Sequence, residues 1–342
     1  MPVLASVLID TFNHGAFIEN AIESVLEQSF PSEKFEIIVI DDGSTDDTSA
    51  RVLKYGARIT YVRKANGGQG SALNAGFTLA KGEYILLLDG DDMCRPDRVA
   101  KVVAEFEAYP DVALVFNSRE IIRNGLSRPE HSPEFHNLEL GPDSTEQFIS
   151  CGFGFSRMSI RRTSLTPVLP VPEDSKIGGD IYLMALLWFG RVSSLPEALT
   201  TYRVHENNLF HTSDPAKLAV QAEAVEKNIS AVRERIKKAP QFDEACAERV
   251  LLPFVVMLKG FELEKKVLEG TASRKDVATL ERLTGNLKRE SLPLRFKRLL
   301  KLPLLLLLPP RIIVQYRQTR LRRFKERERM TSFVRSNVSS QR

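Results

Sequence analysis

The run Tyr84-Ile-Leu-Leu-Leu-Asp89-Gly90-Asp91-Asp92 places three carboxylates at the end of a wholly apolar segment. Carboxylates crowded at the mouth of a buried strand repel one another unless a cation or solvent intervenes. Mg2+ or Mn2+ suits such a group: each takes oxygen ligands, needs only one or two protein carboxylates, and fills its shell with water and phosphate oxygens. The alternative is a solvated acidic turn helped by Gly90. A second acidic run, Ile40-Asp41-Asp42-Gly43-Ser44-Thr45-Asp46, is in large part strand-turn-helix punctuation. Gly43 permits a tight turn, Ser44 or Thr45 can cap a helix, and Asp46 favours a helix N-terminus. Asp42 exceeds that need, and at a strand's carboxyl end it could accept from a base or ribose.

Two more segments carry less chemistry by themselves. Asp10-Thr11-Phe12-Asn13-His14-Gly15 offers the Phe12 ring for stacking on a nucleobase, or for a buried staple, and exposed backbone for a base edge. Asn66-Gly67-Gly68-Gln69-Gly70 permits close backbone approach to a ligand ahead of a helix. Neither a GxGxxG run after the first strand nor a GxxxxGK[ST] phosphate loop occurs.

The elements that would position these segments alternate between strand and helix over the first 117 residues. Strands are predicted at Val3 to Ile9, Glu36 to Ile40, Ile59 to Arg63, Tyr84 to Leu88 and Val112 to Phe116. Ile18, Ala21, Ile22, Val25 and Leu26 form one helical stripe, and Val99, Val102, Val103 and Phe106 another. The pattern implies an open, doubly wound α/β domain with ligands beyond the carboxyl ends of its strands. Residues 118 to 147, rich in Arg, Pro, His and Ser, read as a long excursion without periodicity. The chain resumes at Phe148 to Ile160, then gives a helix from about Asp180 to Phe189 and a short strand near Val192 to Leu195. Asp214 as N-cap and Pro215 at the first helical position open a helical region, with further helices over Asp243 to Leu268 and Ser273 to Leu287.

In this order the four polar segments resemble the family 2 glycosyltransferases of GT-A fold, whose pattern is SV-I-x-x-Y/F-N, D-D-G-S-T-D, N-x-G near a helix, then D-x-D-D. The likeness is close over residues 3 to 117 and looser to about 210, and Asp10 stands where the family often has proline. The resemblance implies a GT-A type, mostly parallel doubly wound sheet with a C-terminal helical region. It divides the chain into a nucleotide-sugar-binding half (1–117), an acceptor-binding and catalytic half (118–213), a helical region (214–287) and a basic tail (288–342). It further implies donor contacts from Thr11, Phe12, Asp42, Asn66, Gly67 and Asp89, and a divalent metal, Mg2+ or Mn2+, on Asp91.

The same resemblance implies a catalytic base in a pattern like E/G-D-x-x-L, matched by Gly178-Gly179-Asp180-Ile181-Tyr182-Leu183. An aspartate at a helix N-terminus should stay ionised, as a proton acceptor must; a plain helix cap is the other reading, and Glu173 and Asp174 are nearby alternatives. Tyr202-Arg203-Val204-His205 resembles the family's Y-R-x-H segment, so His205 could touch metal or diphosphate, or fasten a loop. The implied mechanism is a direct displacement that inverts the anomeric centre. A metal on Asp91 acts there as a Lewis acid while Asp180 deprotonates the acceptor hydroxyl. UDP-linked donors are the default, with GDP and dTDP possible, and the acceptor is a glycan or a lipid-linked species.

Composition sets the remaining bounds. With 43% hydrophobic residues in 342, the chain can bury a full core. Cys94, Cys151 and Cys246 are too scattered for a disulfide framework or thiolate zinc, and no secretory leader is read at Met1, so a cytoplasmic protein is expected. Between Lys288 and Arg329 fourteen Lys and Arg face three Glu, although the whole chain carries only +4, so the body is acidic and the tail basic. The tail's Leu302–Pro310 run is too short to span a bilayer and suits shallow insertion at an anionic inner membrane face, or packing on the helical region. Few aromatics interleave the basic residues, so no nucleic-acid partner is expected. Competing functions are nucleotidyl transfer, which would want a glycine-rich basic loop absent from Thr11 to Phe17, and a non-catalytic nucleotide-sugar-binding protein.

Overall fold

A computed structural model of the chain describes residues 2–139, 154–174, 176–187, 190–205, 214–238 and 244–284, together with Cys151 and Asn208. The basic tail and its leucine run lie outside the described residues.

The predicted strands form β1 (Ala5–Thr11), β2 (Phe35–Asp41), β3 (Thr60–Arg63) and β4 (Tyr84–Asp89), parallel and ordered β3-β2-β1-β4. Their side chains point alternately to two faces. Leu8, Ile38, Ile40, Ile85 and Leu87 belong to one apolar core, while Val7, Ile9, Ile37, Val39, Leu86 and Leu88 belong to the other. The second core is covered by α1 (Ile18–Leu26) and α4 (Arg98–Ala108), through the two stripes read from sequence. At roughly 1.5–3 kcal/mol for each buried aliphatic or aromatic side chain, each stripe is enough to fix its helix on the sheet. The first core is covered by α3 (Gln69–Leu79) and α5 (Gly179–Leu187), while the short α2 (Thr48–Leu53) follows β2.

The second half of the sheet departs from expectation. Residues 118–139 are mostly strand: β6 runs from Val112 to Arg123 and turns at Asn124-Gly125 into β7 (Leu126–Glu130), and β8 (Phe135–Glu139) follows. Asn124 and Gly125 take φ of 52° and 74°, the two-residue geometry that Asn-Gly favours in hairpins. Because β7 is exposed along almost its whole length, it carries no apolar alternation to read. The short strand near Val192 is in fact β10 (Arg191–Val204), which passes Pro196 through register shifts at Leu195/Ala198 and Ala198/Thr200. It pairs parallel with β6 and antiparallel with β8 and with β5 (Met93–Cys94). Between β4 and β6 lies β9 (Met158–Arg161), antiparallel to both.

The helical region opens at Asp214, whose Oδ1 accepts from Ala216 N at 2.9 Å ahead of α6 (Pro215–Lys238). α7 (Glu244–Glu269) and α8 (Arg274–Thr284) follow, the latter entered through a reciprocal cap in which Ser273 N donates to Asp276 Oδ2 and Asp276 N to Ser273 Oγ. Among the described residues no helix is long and apolar enough to cross a membrane.

Candidate active site

Parallel register brings the acids together. Asp10 stands opposite Asp89 at the ends of β1 and β4, and Thr11 opposite Asp41 at the ends of β1 and β2. Beyond β4 the chain turns sharply, with Gly90 N donating to Asp10 O (2.9 Å) and Asp92 N to Asp89 O (3.0 Å). A Cβ on Gly90 would stand 2.6 Å from Thr11 Oγ1, so the turn tolerates no side chain there. Carboxylate oxygens of Asp89, Asp91 and Asp92 lie within 4.8 Å of one another. Burial, together with the neighbouring charges of Asp10, Asp91 and Asp92, lifts Asp89 well above the usual carboxylate range. Burial and Asp91 push Asp92 up to about 8, and burial above all brings Asp10 to about 7. Acids held this way, with Asp10 Oδ1 unpartnered among the described residues, fit a hard divalent cation better than a structural ion pair.

Asp91 differs from the others. Burial works to raise it, but His205 and His14 outweigh that effect and hold it below the usual carboxylate range. Its Oδ2 lies 2.8 Å from His205 Nε2, 3.2 Å from Asn208 Nδ2 and 3.8 Å from His14 Nε2. The His205 ring packs on Phe17 at 4.5 Å, and the Arg203 guanidinium covers the other ring contact of Phe17 at 4.9 Å. Asp92 is fastened by Ser156 Oγ at 2.6 Å and Arg203 N at 3.0 Å.

The remaining expected residues line the same edge. Thr11 is buried beneath Gly90, and Phe12 is 42% exposed. The Asp42 carboxylate gathers the following loop, accepting from Lys64 Nζ (2.8 Å), Gly67 N (3.0 Å) and Gly68 N (2.7 Å). Asn66 is exposed on that loop, against Gly43. Asp180 lies in the first turn of α5, its Oδ1 accepting from Ile181 N at 3.0 Å, and its charge is felt by Asp10 and Asp89. Burial outweighs the backbone hydrogen bonds and pushes Asp180 up to about 6. It is still largely ionised at neutral pH. Of the alternatives, Glu173 Oε1 is bonded to Asn74 Nδ2 at 3.0 Å, and Asp174 borders a separate cavity of about 580 Å3 beside α6.

Sequence reasoning assigned no role to Asp92, His14, Ser156, Asn208 or Gln69. Asp92, His14 and Gln69 stood inside the motifs already noted; Ser156 and Asn208 touch the site through contacts between distant segments, which no spacing signals.

Residues 6–165 match the model of glycosyl transferase family 2. An uncharacterized glycosyltransferase of Nostoc is 32% identical over 216 residues, which is 59% of this chain and 65% of that relative. The chain thus spans less than two thirds of that relative, and the match to the next, from Rickettsia prowazekii, covers 30% of its length. Staphylococcus aureus TarS in complex with UDP superposes with a TM-score of 0.60 at 20% identity, covering 93% of this chain and 92% of that one. A Pyrobaculum calidifontis mannosyltransferase in complex with GDP-Man and Mn2+ gives a TM-score of 0.50 at 18% identity, over 85% and 84% of the two chains. Together with the mostly parallel sheet and the acids at its carboxyl edge, these likenesses mark residues 6–165 as glycosyl transferase family 2 sequence, on a GT-A fold.

Proposed function

We propose that the chain transfers a sugar from a nucleoside-diphosphate sugar to an acceptor hydroxyl, with inversion and with a divalent cation. The observation that carries this reading is the juxtaposition of the half-buried Asp89 and the buried Asp91 and Asp92 carboxylates with the Asp180 carboxylate, from the first turn of α5. In this reading the Asp42-braced loop of Asn66 and Gly67, with Thr11 and the exposed ring of Phe12, receives the nucleoside, and Asp89 faces the ribose and diphosphate. Asp91 holds the cation, with His205 bonded to the same carboxylate oxygen. When bound, Mg2+ or Mn2+ would offset the charge that collects on the departing diphosphate. Asp180 takes the acceptor proton from the opposite side, so the new bond forms on the face away from the leaving group. Glu173, bonded to Asn74, and Asp174, beside the separate cavity at α6, are less suited to that task.

UDP is the first donor nucleotide to test, since TarS is solved with it, and GDP is next, from the mannosyltransferase complex. Incubation with a panel of UDP-, GDP- and dTDP-sugars in Mn2+ should release the nucleoside diphosphate from one of them, with mass analysis identifying the transferred sugar. Release of pyrophosphate, or binding without turnover of any sugar nucleotide, would overturn the assignment.

Cell-surface glycan or polysaccharide synthesis at the inner membrane face is the setting we infer from the basic, leucine-bearing tail. Each Lys or Arg near an anionic surface contributes about 1 kcal/mol, and the attraction is screened by salt. The full chain should bind anionic vesicles, more weakly at high ionic strength, and a chain ending at Leu287 should lose that binding yet keep donor turnover. Equal binding by both would assign the leucines to packing instead.

A further inference from the structure

The N-cap position of α5 is a glycine and offers no side chain to the Gly178 and Gly179 amides. Gly178, just before the helix, has φ of 81° and carries no oxygen to receive the first amide groups, which have no partner inside any helix. Gln69, from the first turn of α3, provides the acceptor: its Oε1 accepts from Gly178 N at 3.1 Å and Gly179 N at 3.0 Å. Nε2 of the same side chain donates to Asp10 Oδ2 at 3.4 Å. The backbone repeats the connection, since Gln69 N donates to Lys176 O at 2.7 Å. Gly68 lies so near the same residue that a Cβ on it would stand 2.4 Å from Lys176 Cα. One side chain therefore joins the carboxyl end of β1 to the turn that carries Asp180.

We propose that Gln69 is a positioning residue for the transfer reaction, capping α5 from outside the helix and fixing where the Asp180 carboxylate stands relative to the acids at the ends of β1 and β4. The proposal rests on the reading of Asp180 as proton acceptor. A primary amide meets both demands at once, an acceptor for two N–H groups and a donor to a carboxylate. Leucine, of similar size, meets neither, and glutamate keeps the acceptor. Loss of the cap would let Asp180 drift from the acceptor hydroxyl without disturbing the nucleoside loop, which Asp42 holds independently.

The test is a double-mutant cycle on the full chain. Turnover of the donor selected by the panel is followed with water as acceptor, binding of UDP with Mn2+ by calorimetry, and folding by thermal melting. Gln69→Leu should lower kcat about 10- to 100-fold, the scale of an ångström of misplacement, while KM and the UDP dissociation constant move by less than about threefold. Gln69→Glu keeps the acceptor for both amides but replaces the donor to Asp10 with a second carboxylate, so its kcat should fall between those of wild type and Gln69→Leu. In the Asp180→Asn background, Gln69→Leu should cost nothing further. A full additional loss in that background would mean that Gln69 acts independently of Asp180, and would overturn the proposal while leaving the base in place. Wild-type turnover by Asp180→Asn alone would overturn the base reading, and the role of Gln69 with it. If Gln69→Leu does not fold, Gln69→Asn, whose amide is one methylene too short to bridge Asp10 and the α5 amides, takes its place in the cycle, and a full additional loss in the Asp180→Asn background overturns the proposal in the same way.

Discussion

Asp91→Asn is expected to reduce donor turnover by about three orders of magnitude, which corresponds to about 4 kcal/mol of lost transition-state stabilisation. The substitution is nearly isosteric, and it removes one negative charge from a group of acids that already repel one another. That relief is opposed by loss of the charge that His205 and His14 stabilise, so the melting temperature should stay close to wild type or fall slightly. His205 and Asn208 can still meet the amide oxygen, so the loop they hold should keep its place. What disappears is the one carboxylate of the cluster held below its usual range, and with it the most strongly ionised oxygen offered to a cation. Wild-type protein in excess chelator should fall to the same level and recover on addition of Mn2+. Full turnover in chelator would remove the metal from the mechanism.

Replacing Asp180 separates binding from chemistry. Asp180→Asn should leave UDP binding in Mn2+ within a few-fold of wild type and lower transfer by roughly two to four orders of magnitude, the usual contribution of a positioned general base. The pH profile gives a second, independent reading. Burial pushes Asp180 up to about 6, and a proton acceptor works only when ionised, so transfer should be flat above that value. Below it the rate should fall by about tenfold per pH unit. The Asn variant should lack this limb. Transfer at the wild-type rate by Asp180→Asn would move the base elsewhere, with Glu173 and Asp174 next to be changed.

Much of this arrangement was legible in the residue order because it depends on local periodicity. The strands β1 to β4 are short apolar runs, and the stripes of α1 and α4 are regular, so the sheet edge bearing Asp10, Asp42 and Asp89 could be drawn before any coordinates. The misreading of residues 118–139 has a specific cause: β7 faces water, so its only strong signal is the Asn124-Gly125 turn, which Arg, Pro, His and Ser around it obscured. β10 was cut short because Pro196 and the register shifts after Leu195 break its alternation. In the site, carboxylates announced themselves by clustering in sequence. Gln69 did not, since a glutamine in a glycine run reads as a flexible loop until the Gly178-Gly179 amides are seen against it. His205 and Asn208 likewise acquire their meaning only from the distant Asp91 oxygen.

The position of β9 also bears on how the chain is made. Leu86 and Val115 both pair with Ser159, so β4 and β6 are not neighbours but flank a strand that is translated after both. While a ribosome is still delivering residues 124 to 157, β4 has a free edge and β6 lacks both β9 and β10, and each such edge is a template for another chain. The long β6–β7 hairpin can form early from local contacts and shield one flank of β6. Met158–Arg161 is then the strand that joins β6 to the β3-β2-β1-β4 sheet. The buried Arg98 is suited to receive it, because its guanidinium donates to Leu87 O on β4 and to Met158 O on the arriving strand.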